Sequence, residues 1–152
     1  MSDTARMLGN VELFADVPLE VREQMVARGS TRSLPAGATI VTQGQEDAGL
    51  QMITEGEARV IVHGNHVRTL GVGDFFGDIS LIDNRPRSAT IEAGDAGCRT
   101  FAVSPLVFWE IVEANTAVAR VVMKALAHRV RGAEQALSET RVELAEARGE
   151  QS

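Results

Sequence analysis

The sequence predicts a mainly β protein, a barrel or jelly roll of short strands flanked by helices, and three observations carry that prediction. Between Arg32 and Val103, β-branched and apolar residues alternate with polar ones. Glycines at 37, 44, 49, 56, 64, 71, 73 and 77 break the alternation into short runs. On either side of this region the apolar spacing changes to three and four, the period of a helix.

At the N-terminus, Leu13, Phe14, Val17, Val21, Met25 and Val26 recur at helical spacing, with Asp16-Val17-Pro18-Leu19 marking one helix end and a new start. In the strand region, Ile53, Val60, Val62, Val67 and Ile91 are expected to fill the interior, and Arg59, His63 and Arg68 to face mostly outward. Ser104-Pro105 opens a helical region, serine as N-cap and proline at the first helical position, and Phe108, Ile111 and Val112 form its apolar face. Asn115-Thr116 marks a break, after which a longer helix begins near Ala117. The expected organisation is one domain: a helical segment over 1–31, a β-roll over 32–103 and C-terminal helices over 104–149.

The long helix carries a heptad seam. Met123, Leu126, Val130, Ala133, Leu137, Thr140, Leu144 and Ala147 alternate spacings of three and four. Val130, Leu137 and Leu144 fall at one core position, and Ala133, Thr140 and Ala147 at the other. If two copies pair in parallel, Arg129 of one faces Glu134 of the other and Glu143 faces Arg148, so opposite charges flank the seam. The alternative is a seam that packs back on its own barrel. Gly132, in mid-helix, costs on the order of 1 kcal/mol relative to alanine and is either a hinge or tolerated.

Composition narrows the function classes. The chain has 152 residues, 44% of them apolar, enough for one domain with a real core. A net charge of −6 and a pI near 5.1, with no clustered Lys and Arg, argue against a nucleic-acid-binding surface. The lone cysteine, Cys98, cannot form an internal disulfide, no signal peptide is visible, and no apolar run approaches the ~18 residues of a membrane span. A cytoplasmic protein with no membrane partner is expected.

The chemistry concentrates in one stretch. Phe76-Gly77-Asp78-Ile79-Ser80-Leu81 is followed five residues on by Arg87-Ser88-Ala89-Thr90-Ile91. A glycine lets backbone approach an anion, a helical turn after it offers free N–H groups, and an arginine supplies a planar bidentate donor. Asp78 beside these donors suits a ligand hydroxyl. The set fits a ligand carrying both a phosphate and a sugar hydroxyl.

This stretch resembles the phosphate-binding cassette of the cyclic nucleotide-binding domains of catabolite-activator-like regulators, cyclic-nucleotide-dependent kinases and cyclic-nucleotide-gated channels. The family pattern, apolar-Gly-Glu-x-small-apolar and then Arg-small-Ala-x-apolar, is met at Phe76, Gly77, Ser80, Leu81, Arg87, Ser88, Ala89 and Ile91. Asp78 stands where the family has a glutamate that takes the ribose 2′-hydroxyl, and its carboxylate reaches less far by one methylene, roughly 1.5 Å. Ile40-Val41-Thr42-Gln43-Gly44-Gln45 and Leu50-Gln51-Met52-Ile53-Thr54-Glu55-Gly56 resemble the family's opening β-roll motif more loosely, with Gln51 interrupting the apolar run and Asp47 at a position usually small.

The resemblance implies an eight-stranded β-roll or jelly roll with short N-terminal helices and a long C-terminal hinge-and-lid helix. It implies ligand contacts from Gly77, Asp78, Ile79, Ser80, Arg87, Ser88 and Ala89. The base would lie between Val60 and Val67 below and Val130, Ala133 and Glu134 of the lid above, and Ser88 favours cAMP over cGMP. Bland alternatives stand beside these roles: Arg87 as a strand-terminal charge, Asp78 as a cap of the cassette helix, Ser88 satisfied by backbone, and Glu134 paired with Arg129 of a second copy.

Other constellations are poor. His63-Gly64-Asn65-His66 reads as an exposed turn and lacks the further ligands of a barrel metal site. The remaining histidine, His128, completes no nucleophile–base set, so neither metal nor catalysis is expected. Cys98 reads as a small buried residue. The expected function is a cyclic nucleotide sensor, not an enzyme, which signals through its C-terminal helices to an effector protein, forms a homodimer through the seam, and has no output domain on this chain. The rival is a degenerate, non-binding domain that acts as a dimeric interaction module.

Overall fold

The computed structural model describes residues 3–44, 49–83, 85 and 87–150. Gln45 and Asp47 of the upstream motif, and the cassette's positions 84 and 86, lie outside the described residues. Helix α1 (Asp3–Leu8), a 3-10 turn (Glu12–Phe14) and helix α2 (Leu19–Arg28) precede the strands. Strands β1 (Ser30–Leu34), β2 (Thr39–Val41), β3 (Leu50–Val62), β4 (Asn65–Leu70) and β5 (Phe75–Phe76) then lead to the short helix α3 (Ser80–Asp83). Strand β6 (Thr90–Val103) and helices α4 (Pro105–Ala114) and α5 (Thr116–Glu150) complete the chain.

The six strands form one antiparallel sheet in the order β1-β6-β3-β4, with β2 on β6 and β5 on β3. Strands β3 and β6, of 13 and 14 residues, run beside each other along the roll. Their pairing shifts register between Ile53 and Glu55 and again between Gly56 and Ala58, which breaks the regular ladder near the middle of each strand. The described residues thus form six strands, two of them long and irregular, where eight shorter ones were expected. Gly56 has φ +75°, and a Cβ there would lie 2.3 Å from the carbonyl oxygen of Gly97, so the strands pass too closely for a side chain.

Two apolar cores meet at the cassette. One fills the roll with Leu34, Ile40, Val41, Ile53, Val60, Leu70 and Ile91, against which Phe76 and Ala89 pack. The other joins Phe14, Met25, Leu50, Met52, Phe101, Phe108 and the first turns of α5 to Leu81 of α3. Leu81 thus anchors the cassette in one core while Phe76, Ala89 and Ile91 anchor it in the other.

The helices are fixed by local chemistry. The Ser104 hydroxyl accepts from the Val107 N–H at 3.2 Å, and Pro105 follows it, as the sequence predicts for α4. Asn115 donates its side-chain amide to the Ile111 carbonyl at 2.9 Å, which ends α4 before α5 starts. Arg28 on α2 and Glu110 on α4 form an ion pair, and Arg22 donates to the Ala5 carbonyl at 2.7 Å, holding α1 on α2.

Two interior placements are corrected. Val67 is 56% exposed on β4, because that edge strand pairs with β3 alone and every one of its residues before Leu70 faces solvent. Val62 is half-buried rather than interior. From Val130 on, the seam of α5 does not fold back on its own barrel: Val130, Leu137 and Leu144 are between 51% and 56% exposed, and α5 stands out from the roll beyond Arg129.

Candidate functional site

The site begins with a glycine that nothing else can replace. Gly77 has φ +82°, and a Cβ built on it would lie 2.1 Å from both the Arg87 Nη1 and the Gly49 carbonyl oxygen. The missing side chain is what lets the Arg87 guanidinium pass behind the cassette backbone. After it the chain turns into α3, whose first bonds run from the Leu81 N–H to the Asp78 carbonyl and from the Ile82 N–H to the Ile79 carbonyl.

Arg87 is buried, 8% exposed, and its orientation is defined on two sides. Its Nη2 donates to the Gly49 carbonyl at 2.7 Å, and its Cζ lies 5.6 Å from the centroid of the Phe76 ring, within cation–π range. Asp78 is buried as well, 6% exposed, and its Oδ2 receives Nη1 of Arg129 at 2.6 Å. That bond ties the cassette to α5, 51 residues along the chain.

Gly77, Asp78, Ile79, Ser80, Arg87, Ser88 and Ala89 all line one cavity of about 230 Å³, with Phe76 and Ile91 completing its wall. A second cavity of about 440 Å³ adjoins it, sharing Phe76, Gly77 and Asp78 and adding Arg68, Asp74 and Arg129. Together they offer a backbone turn with free N–H groups, a buried guanidinium and a buried carboxylate. A cleft of about 400 Å³ elsewhere on the roll also carries a guanidinium, Arg99, and two carboxylates, Glu55 and Asp95, but all three are exposed.

A family model described as the cyclic nucleotide-binding domain matches residues 31–115, from β1 through α4. The chain belongs to the cyclic nucleotide-binding domain family. It is 27% identical over 146 residues to the cAMP-dependent protein kinase regulatory subunit of Debaryomyces hansenii, covering 95% of this chain and 32% of that protein. To the cyclic nucleotide-gated potassium channel of Rhizobium etli it is 34% identical over 88 residues, covering 58% of this chain and 24% of that one. It thus spans about a third or less of these curated relatives. Its fold matches the N-terminal domain of a transcriptional regulator from Streptomyces coelicolor A3(2) with a TM-score of 0.79 at 25% identity, covering 86% of this chain and 96% of that one. No described helix is long and apolar enough to cross a membrane.

Within this cyclic nucleotide-binding domain the cassette residues named from sequence converge, but the lid residues do not. Val130, Ala133 and Glu134 are exposed and line neither cavity, since α5 leaves the roll before it reaches them. Val60 is buried in the core with Ile91, and Val67 faces solvent. The α5 residue at the site is Arg129, which sequence reasoning gave to a second copy. Its signal was its place one residue before Val130: if the seam faces away, a neighbour 100° round the helix faces the roll. Arg68, which lines the adjoining cavity, was also missed as a site residue.

The remaining reactive groups lie outside this geometry. Burial pushes the Cys98 thiol above its ordinary range, and its Sγ donates to the Arg99 carbonyl at 3.8 Å. His63 pairs with Gln43 and His66 with Thr69 at the surface. Among the described residues no group of three or more His, Cys, Asp or Glu is arranged to hold a metal.

Proposed function

We propose that this chain is a cyclic nucleotide sensor. The observation that carries the reading is the convergence of the Gly77 turn, buried Arg87 and buried Asp78 on one small cavity. The cyclic phosphate would sit against the Ile79 and Ser80 backbone and the Arg87 guanidinium, a charge-assisted arrangement. The ribose hydroxyl would donate to Asp78. A carboxylate has two acceptor oxygens, and Arg129 occupies Oδ2, which leaves Oδ1 for the sugar.

Arg129 is the partner that the shorter acid holds. Its guanidinium meets the Asp78 carboxylate in the adjoining cavity, where a ligand oxygen would complete its donor set. The ligand therefore touches α5 through the Asp78–Arg129 pair and favours the arrangement in which that helix is held on the cassette. This differential contact is the requirement for a ligand-driven switch. Ser88 favours cAMP over cGMP by the family resemblance, whereas Arg68 in the adjoining cavity is a donor suited to guanine O6 and N7, so the two nucleotides belong in the same titration.

The exposed seam carries the output in this reading. Two copies pairing through Met123, Leu126, Val130, Ala133, Leu137, Thr140 and Leu144 would cover side chains that stand in water on the single chain. A change in how α5 is held then becomes a change in the geometry of the pair, read by an effector protein. The test is calorimetric titration with cAMP and cGMP beside an Arg87→Ala variant. Binding by the wild type and its loss in the variant support the sensor. No binding by a folded wild type leaves the dimeric interaction module in its place.

A further inference from the structure

The cassette arginine is held by more than its own segment. Three hydrogen bonds link Gln43, Gly44 and Gly49 to Arg87 and Thr90. The Gly44 N–H donates to the Arg87 carbonyl at 2.8 Å, the Gln43 N–H donates to the Thr90 hydroxyl at 2.9 Å, and Arg87 Nη2 donates to the Gly49 carbonyl at 2.7 Å. The first holds the Arg87 backbone, the second holds the neighbouring Gln43 backbone on Thr90, and the third fixes the guanidinium. Phe76 closes the remaining face at 5.6 Å.

Thr90 occupies the unrestricted position of the cassette pattern, between Ala89 and Ile91. On β6 it is half-buried at the first residue of the strand, paired across to Ile61. Its hydroxyl is the only side-chain acceptor in the three-bond set, since the other two acceptors are backbone carbonyls. It is therefore the one bond of the set that an isosteric substitution removes.

We infer that Thr90 is a positioning residue for the phosphate site: by anchoring the Gln43–Gly44 backbone, it keeps Arg87 in its binding pose before the ligand arrives. Without the hydroxyl, the Gln43 N–H loses its acceptor and the neighbouring Gly44–Arg87 bond loses its support. The guanidinium then samples orientations that must be gathered again when the phosphate binds, and that ordering weakens affinity. This inference rests on the cyclic nucleotide reading for its ligand, and the clasp itself is measurable without one.

The experiment compares wild type, Thr90→Val and Thr90→Ser. Valine keeps the shape and strand preference of threonine and removes the acceptor, and serine restores the acceptor. Affinity is measured for cAMP and for its two diastereomeric phosphorothioates, in which sulfur replaces one or the other exocyclic phosphate oxygen. Exchange of the Gly44 amide proton is followed in the ligand-free proteins. Thr90→Val is expected to weaken cAMP roughly five- to tenfold and to bring the two diastereomers closer in affinity, because a wandering guanidinium no longer distinguishes the two oxygens. Gly44 exchange accelerates in the same variant, and Thr90→Ser restores all three readouts.

Wild-type behaviour in Thr90→Val, or weaker binding with an unchanged diastereomer ratio, overturns the positioning role. If the wild type binds no nucleotide, the sensor reading fails, and Gly44 exchange decides the clasp alone. Acceleration in valine but not serine upholds it, and no change overturns it.

Discussion

Gly77, Asp78, Arg87 and Arg129 divide the work of the site, and each is replaceable in a way that isolates its part. Arg87→Ala removes a charged donor from a buried position; with hydrogen bonds to charged groups worth about 1.5–3 kcal/mol, nucleotide affinity should fall at least ~10-fold by titration calorimetry. Gly77→Ala should do comparable damage without touching charge, since its Cβ would collide with the Arg87 side chain and the Gly49 carbonyl at 2.1 Å. A Gly77→Ala protein that bound like wild type would mean that Arg87 does not need the position it holds. Arg129→Ala leaves the buried Asp78 carboxylate without its partner, a cost of about 1–3 kcal/mol to folding, held toward the low end because the arginine side chain is 42% exposed. In the sensor account it also weakens nucleotide binding and uncouples α5. The first effect is read by chemical denaturation and the second by calorimetry.

Among the elements, α4 and α5 are the ones that transmit the signal in the sensor account. Trp109, the single tryptophan, is 40% exposed on α4 and lines an apolar groove with Met123 and Leu126 of α5. Movement of α5 against α4 therefore changes its surroundings. Nucleotide should shift Trp109 emission in the wild type and leave it unshifted in Arg129→Ala at saturating ligand; an equal shift in both would sever the link between that ion pair and the helix. The seam has its own test. Leu137→Asp places a charge at an exposed position, 51% open on the single chain, so the fold survives while a paired helix could not bury the carboxylate. Sedimentation should show a dimer for the wild type and a monomer for the variant. A wild-type monomer at tens of micromolar would contradict the pairing.

For the whole molecule, the legible part of the fold was the part written in consecutive residues. The cassette could be read because its glycine, acid and arginine lie within a dozen positions, and the α4 cap because serine and proline are adjacent. The two long strands were less plain, since Gly56 reads as a strand end but serves as the point where β3 bends past β6 without stopping. Helix α1 carries too few apolar residues, Ala5 and Leu8 buried among six, to show a period. Arg129 escaped because its contact with Asp78 spans 51 residues, and a heptad pattern says which face is apolar but not what the next residue touches. Val130, Ala133 and Glu134 line neither cavity for a related reason: the seam's period continues unbroken past Arg129, while contact with the roll does not.

A ligand bound only by the folded chain stabilises all of it, by about 2.7 kcal/mol at a concentration 100 times its dissociation constant. For a chain of this size that corresponds to a rise in melting temperature of roughly 5–10 °C, which the Arg87→Ala protein should not show. The most direct measurement is the calorimetric titration of the purified wild type with cAMP and with cGMP. The sensor account predicts saturable binding of at least one nucleotide, one site per chain, at micromolar affinity or tighter. Absence of heat from both, with a cooperative thermal transition proving the protein folded and no shift in that transition on adding nucleotide, would contradict it.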